Sequence, residues 1–286
     1  MQGSRLVGVC WHVTTRCNLS CRICYGYPEP VEAPLATQTR VLDRLAELDP
    51  EKVMFTGGEP LLDPNLHLLA QRAKEWGLKV GLSTNCMLLS AERQAVLLPW
   101  VDELTIPIEG SSRSIHARSR GSELHFDVVL DLLLSGRMEG VELDASTVVS
   151  AFNVHDLIDI GQILQRARIR KWKVFQFVPL ANGRLIGEAA CISTCVFREK
   201  VSELRSEFAD SISIDAREHS KENLLSYVNV LATGTIVMPI GGSHRPIGNV
   251  LETNDIASLL EENGFDFARH TSRHWRDVVD TSGSDT

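Results

Sequence analysis

No apolar run in this chain of 286 residues approaches the eighteen or so needed to cross a bilayer, so no membrane span is expected. A secretory signal is lacking too: Arg5 is followed only by the short, interrupted apolar stretch 7–13. A reducing cytoplasm is therefore the expected compartment, and seven cysteines that include an apparent metal triad agree with it. The chain has no basic excess. Its formal charge of −8 argues against non-specific nucleic-acid binding, which needs a basic footprint, but it is compatible with a local basic pocket for a phosphorylated small molecule. Internal repeats and low-complexity linkers are absent, so the expectation is one globular domain with an appended segment.

Against these absences stands one dense stretch, Cys17-Asn18-Leu19-Ser20-Cys21-Arg22-Ile23-Cys24. The spacing C-x3-C-x2-C supplies three soft thiolates within eight residues, a donor set suited to iron–sulfur coordination. A cubane has four irons, so three thiolates would leave one iron open to another ligand. Structural zinc is the competing reading. It wants a fourth ligand, and no Cys or His follows at finger-like spacing. His12 lies on the apolar stretch leading in and reads as an ordinary strand residue.

Strand and helix signals alternate from the start. Strands are expected at 7–13, 53–56, 79–83, 103–108, 141–149 and 173–179, and helices at 37–48, 66–76, 91–98, 126–134 and 155–167. Gly77 and Gly136 close two of the helices. Six β–α-type units in the first 180 residues imply a parallel sheet, and six are too few for a closed eight-unit barrel. The expected fold is α/β, a partial (βα)6 TIM-like barrel over residues 1–180 with ligand sites at the strand C-terminal ends. Residues 181–286 should form an α+β extension in the same structural unit, capping the open side. It would contain a helix at 197–208, strands at 224–231 and 235–240, a helix at 255–262 and a disordered tail at 280–286.

Two further motifs follow the cysteines in order: Phe55-Thr56-Gly57-Gly58-Glu59-Pro60, then Ser83-Thr84-Asn85 at a third predicted strand end. This ordered set resembles the radical SAM superfamily, although Ile23 stands where that family usually has an aromatic, with Tyr25 just after the last cysteine. The resemblance implies one [4Fe–4S] cluster on Cys17, Cys21 and Cys24. It also implies S-adenosylmethionine (SAM) held near Tyr25, Gly57, Gly58, Glu59, Ser83 and Asn85, and an electron donor such as flavodoxin or ferredoxin. Glycines without Cβ would let the backbone approach the methionine of SAM. Cys10 and Cys86 read as small buried hydrophobes, and Cys191 and Cys195, four apart, as one helix face without companions for a second cluster.

Within the superfamily, Glu51 to Pro60, Lys171-Trp172-Lys173-Val174-Phe175-Gln176, Asn223 to Tyr227, Phe152-Asn153-Val154 and Asn263-Gly264-Phe265-Asp266 resemble the viperin family of nucleotide dehydratases. Carried over position by position, Lys52, Arg120 and Lys173 fall on triphosphate-binding bases, with Arg118 as the neighbour if the register is off by two. Tyr227 falls on a tyrosine that finishes the radical reaction. Two departures stand out: Asp144 where that family has a base, and Cys10 where it has an asparagine. An acid there repels a triphosphate, so the substrate is expected to carry fewer phosphates or to be a nucleoside or nucleotide sugar. The alternatives are a peptide-modifying radical SAM enzyme, usually marked by a leader-peptide domain or further cysteine clusters, and a non-catalytic metal-binding protein.

Overall fold

The computed structural model describes residues 5–135, 138 and 140–275. The tail expected at 280–286 and the helix-closing Gly136 lie outside them.

Ten strands form one sheet: β1 Gly8–Thr14, β2 Lys52–Gly57, β3 Lys79–Ser83, β4 Glu103–Pro107, β5 Glu142–Val149, β6 Lys171–Gln176, β7 Ser213–Arg217, β8 Asn229–Leu231, β9 Thr235–Ile240 and β10 Ser243–Asn249. Their order is β10-β9-β8-β1-β2-β3-β4-β5-β6-β7. From β8 through β7 every neighbouring pair is parallel, and β9 and β10 add an antiparallel edge. The six expected strands are thus found as the consecutive parallel set of a partial barrel. Helices Leu35–Glu47, Leu66–Glu75, Ala91–Leu97, Glu123–Ser135 and Leu157–Arg166 alternate with them.

Each strand divides its side chains between two environments, because successive side chains point to opposite faces. On β1, Val9, Trp11 and Val13 enter the main apolar core with Phe55, Ile106 and Trp172, whereas Cys10 and His12 face an interior cavity. On β2, Val53 and Phe55 are buried in that core while Lys52, Met54 and Thr56 line the cavity. Polar residues can therefore occupy strands of a buried parallel sheet without interrupting the core.

Residues after 180 divide between the two edges of this sheet. The segment from 218 to 228, with its short helix Lys221–Leu224, joins β7 at one edge to β8, which lies beside β1 on the other side of the parallel set. It crosses the open side and caps the cavity with Asn223, Ser226 and Tyr227. Two strands escape the sequence pattern. β7 (SIDAR) has little apolar content, and β10 (SHRPIGN) is a polar outer strand carrying Pro246, which an edge tolerates. Helix Arg113–Arg120 escapes it for the same reason, with Ile115 and Ala117 its only aliphatic residues.

Candidate active site

The cysteine loop leaves the C-terminal end of β1, where the β1–β2 register shifts between His12 and Thr14 and sets Thr14 opposite Gly57. Gly57 (φ +146°) and Gly58 then pass so close that a Cβ on either would lie 1.9 Å from the Thr14 carbonyl oxygen or 2.1 Å from that of Arg16. The backbone N–H groups of Gly58 and Glu59 donate to those same carbonyls at 2.9 and 2.8 Å. These glycines are required by a close approach to the chain leading into the cysteines.

Three free cysteines sit on this loop. The backbone N–H of Leu19 donates to Cys17 Sγ at 3.5 Å and that of Gly26 to Cys24 Sγ at 3.3 Å. Asn85 Nδ2 and Arg120 Nη1 stand 3.8 Å from Cys17 Sγ and Cys21 Sγ. Donors aimed at sulfur are what thiolates ligating an iron–sulfur cluster require, so the loop fits the cluster that the resemblance implies. The loop is held by a small apolar cluster of Cys21, Ile23, Phe177 and Ala190, separate from the main core.

Glu59 is wholly enclosed. Burial pushes its pKa up, and the carboxylate is used within the protein: it accepts from Thr84 Oγ1 (2.6 Å), Asn85 N (2.7 Å) and Leu61 N (3.0 Å). It shapes the loop of Thr84 and Asn85. Asn85 Nδ2 donates to Asn18 Oδ1 at 2.7 Å, tying this loop to the cysteines. Ser83 and Tyr25 line the cavity, and the Tyr25 ring meets His244 edge-on at 5.1 Å.

A histidine pair supports Asn85 from behind, and the sequence reading passed over it. The N–H of Glu109 donates to His116 Nδ1 (3.1 Å), so His116 carries its proton on Nε2 and donates to His125 Nδ1 (2.7 Å). His125 Nε2–H then donates to the Asn85 carbonyl at 2.9 Å. Burial holds both rings neutral, with pKa values down to about 2 for His116 and about 4 for His125.

The three bases carried over from the family are not brought together. Arg120 pairs with the enclosed Glu109 at 2.6 Å and approaches Cys21, beside the cluster loop. Its neighbour Arg118 lies over the Phe152 ring, 5.1 Å from the centroid. Lys52 and Lys173 do meet, near the N-terminal ends of β2 and β6, at the far end of the cavity from the cysteines. They share Glu103, whose Oε2 lies 2.9 Å from Lys52 Nζ and whose Oε1 lies 2.6 Å from Lys173 Nζ. Lys173 also pairs with Asp144 at 2.8 Å. Burial alone would lower the Lys173 pKa, but Asp144 and Glu103 outweigh it and hold the ammonium charged. Glu103 gave no sequence signal beyond opening a strand.

The cavity between these ends measures about 430 Å³ and is lined from Ile23 and Tyr25 at the cysteine loop to Lys52 and Lys173. Tyr227 and His12 lie on its wall. His12 Nε2–H donates to Asn229 Oδ1 at 3.1 Å, so Nδ1 is a lone-pair acceptor, and it has no hydrogen-bond partner among the described residues. Burial lowers the His12 pKa to about 4, which keeps that acceptor available at neutral pH. Cys10 shares the wall, while Cys86 is buried with its thiol 3.6 Å from the Thr84 carbonyl. Cys191 precedes helix Thr194–Glu207, which contains Cys195, so the two do not share a helix face.

Comparison with known proteins agrees with this arrangement. The Radical SAM superfamily model matches residues 11–164. An S-adenosylmethionine-dependent nucleotide dehydratase of Flammeovirga pacifica is 26% identical, with 96% of each chain covered. An AdoMet-dependent heme synthase of Oleidesulfovibrio alaskensis is 28% identical over 63% of this chain, and the match spans 47% of that protein. The chain thus spans about half the length of this heme synthase. Among solved structures, Streptococcus suis SuiB bound to S-adenosylmethionine superposes with a TM-score of 0.69 at 13% identity, covering 94% of this chain and 68% of SuiB. Native anSMEcpe with bound AdoMet gives 0.69 at 14% identity, covering 89% of this chain and 80% of that one.

Proposed function

Since the chain belongs to the radical SAM superfamily, whose members carry a [4Fe–4S] cluster and use SAM, we propose that it is an enzyme acting by hydrogen abstraction on the sugar of a nucleoside or nucleotide, with dehydration or rearrangement as the outcome. When bound, the cluster and SAM supply one electron from a small donor such as flavodoxin or ferredoxin and a 5′-deoxyadenosyl radical. The chain's own residues bind, orient and enclose. Cys17, Cys21 and Cys24 hold the cluster, with Asn85 and Arg120 donating toward its sulfur ligands. Gly57 and Gly58 lock the following strand end against the cysteine loop, and Glu59 fixes the loop carrying Asn85. Ser83 and Tyr25 on the near part of the cavity, with Asn85 beside the cysteine loop, are the SAM contacts, and His12 Nδ1 accepts a hydrogen bond from substrate. Tyr227, on the capping segment and the cavity wall, is the residue that would finish the radical reaction.

The single observation that carries this reading is the continuous cavity of about 430 Å³ leading from the cysteine loop to a polar far end, a size suited to a small molecule. The near full-length similarity to a nucleotide dehydratase supports the substrate class. After anaerobic reconstitution, a panel of nucleosides and nucleotides should contain members that accelerate 5′-deoxyadenosine formation from SAM. Acceleration by peptides alone would refute the reading.

A further inference from the structure

The far end of the cavity carries cations that a phosphorylated substrate would need, yet Lys52, Lys173 and Arg217 are each paired with a carboxylate. Lys173 Nζ is ringed by Glu103 Oε1 at 2.6 Å, Asp144 Oδ2 at 2.8 Å and Thr105 Oγ1 at 3.1 Å. Glu103 and Thr105 accept two of the three ammonium N–H groups, and the enclosed Asp144 carboxylate offsets the charge from ion-pair distance. Lys52 is bound to the second oxygen of the same Glu103 at 2.9 Å. Glu103 and Asp144 are almost wholly enclosed, so water does not screen the pairing. On the neighbouring strands Lys171 stands in register with Asp144, and Arg217 is held by Asp215 at 2.6 Å. This end of the cavity is polar, and the charges of Lys52 and Lys173 are offset there by buried carboxylates.

We infer that it receives an uncharged, hydroxyl- or amide-bearing end of the substrate, so that the enzyme takes an unphosphorylated nucleoside rather than a nucleoside triphosphate. The inference rests on the nucleoside or nucleotide reading proposed above. A triphosphate placed here would meet Glu103 and Asp144 directly behind the lysines, and it would have to strip Lys173 of hydrogen bonds that leave buried carboxylates uncompensated. A sugar hydroxyl or base amide asks only for exchange of single hydrogen bonds with Lys52 and Thr105, both on the cavity wall. Glu103 and Asp144 are then specificity-determining residues that act through the lysines.

The test uses the reconstituted enzyme with two readouts. Calorimetric titration with inorganic triphosphate should give no saturable heat, and 5′-deoxyadenosine formation should be accelerated at least tenfold more by a nucleoside than by its own triphosphate. The paired substitution Glu103→Gln with Asp144→Asn removes both carboxylates at nearly constant shape. It should create saturable triphosphate binding and move the nucleoside-to-triphosphate preference by tenfold or more. If the pair does not fold, Asp144→Asn alone, which removes one of the two carboxylate charges beside Lys173, should move both readouts in the same direction. Saturable binding of inorganic triphosphate to wild type, or a wild-type preference for the triphosphate, overturns the inference and leaves the proposed function standing. Failure of every nucleoside and nucleotide to accelerate SAM cleavage overturns both.

Discussion

Arg120 shows how one side chain can change meaning between sequence and structure. Read along the chain it is a cation available to a phosphate; in the fold it neutralises Glu109, which is 0% exposed and also accepts from Val148 N at 2.7 Å. Removing one partner of such a pair leaves a buried charge. Arg120→Met should therefore destabilise the protein by about 3–5 kcal/mol in urea unfolding. Adding Glu109→Gln should recover part of the loss, and a single variant as stable as wild type would show that the pair is not needed. Gly58 is the other position where a few atoms decide the outcome. In Gly58→Ala the new methyl meets the Arg16 carbonyl, so a loss on the order of 1–3 kcal/mol is expected, with reduced iron uptake on reconstitution. Unchanged iron content would mean that the two strand ends can separate without harm to the cluster loop.

Between elements, the buried histidines link helices Arg113–Arg120 and Glu123–Ser135 to the loop after β3. His12 does the same between β1 and β8 through Asn229. All three have folded pKa values below the ordinary histidine value near 6.5: about 4 for His12, about 2 for His116 and about 4 for His125. The unfolded chain therefore binds more protons than the native state as pH falls below about 6.5. The stability these groups contribute is complete above that pH and is lost progressively toward pH 4. Each histidine adds a slope of up to about 1.4 kcal/mol per pH unit. Urea midpoints should drop clearly between pH 7.5 and pH 5, and His125→Gln should show a shallower fall. Equal midpoints at the two pH values would contradict the neutral assignment.

For the whole molecule, the two ends of the described chain meet on β1. His270, on helix Phe267–Trp275, takes the backbone N–H of Val7 at 2.9 Å and of Gly8 at 3.3 Å on Nε2, and its Nδ1–H donates to the Ser226 carbonyl at 3.0 Å. One imidazole thereby joins the start of the central strand, the cap over the cavity and the last described helix. His270→Ala leaves buried donors without this acceptor and should cost about 1–3 kcal/mol. Because it also frees the cap, it should speed proteolysis within residues 218–228 under native conditions. Protection equal to wild type would place the closure of the cap elsewhere.

What the sequence determined by itself is whatever local spacing encodes. Alternating apolar segments specify the β–α order, and thiol spacing together with the Gly-Gly-Glu-Pro and Ser-Thr-Asn motifs at strand ends specifies a radical SAM core. Those signals survive because each is written in a few adjacent residues. The tertiary structure decided which side chains oppose one another across distant strands. Glu103 between Lys52 and Lys173 is 51 residues from one and 70 from the other. His116 and His125 matter through Asn85, 40 residues from His125, and His270 matters through Val7, 263 residues away. The polar segments β7 and β10 became strands only because existing sheet edges offered unpaired backbone groups. Charge balance at the far end of the cavity, and with it the kind of substrate the enzyme can accept, depends on that packing because electrostatic pairing is set by distance and burial.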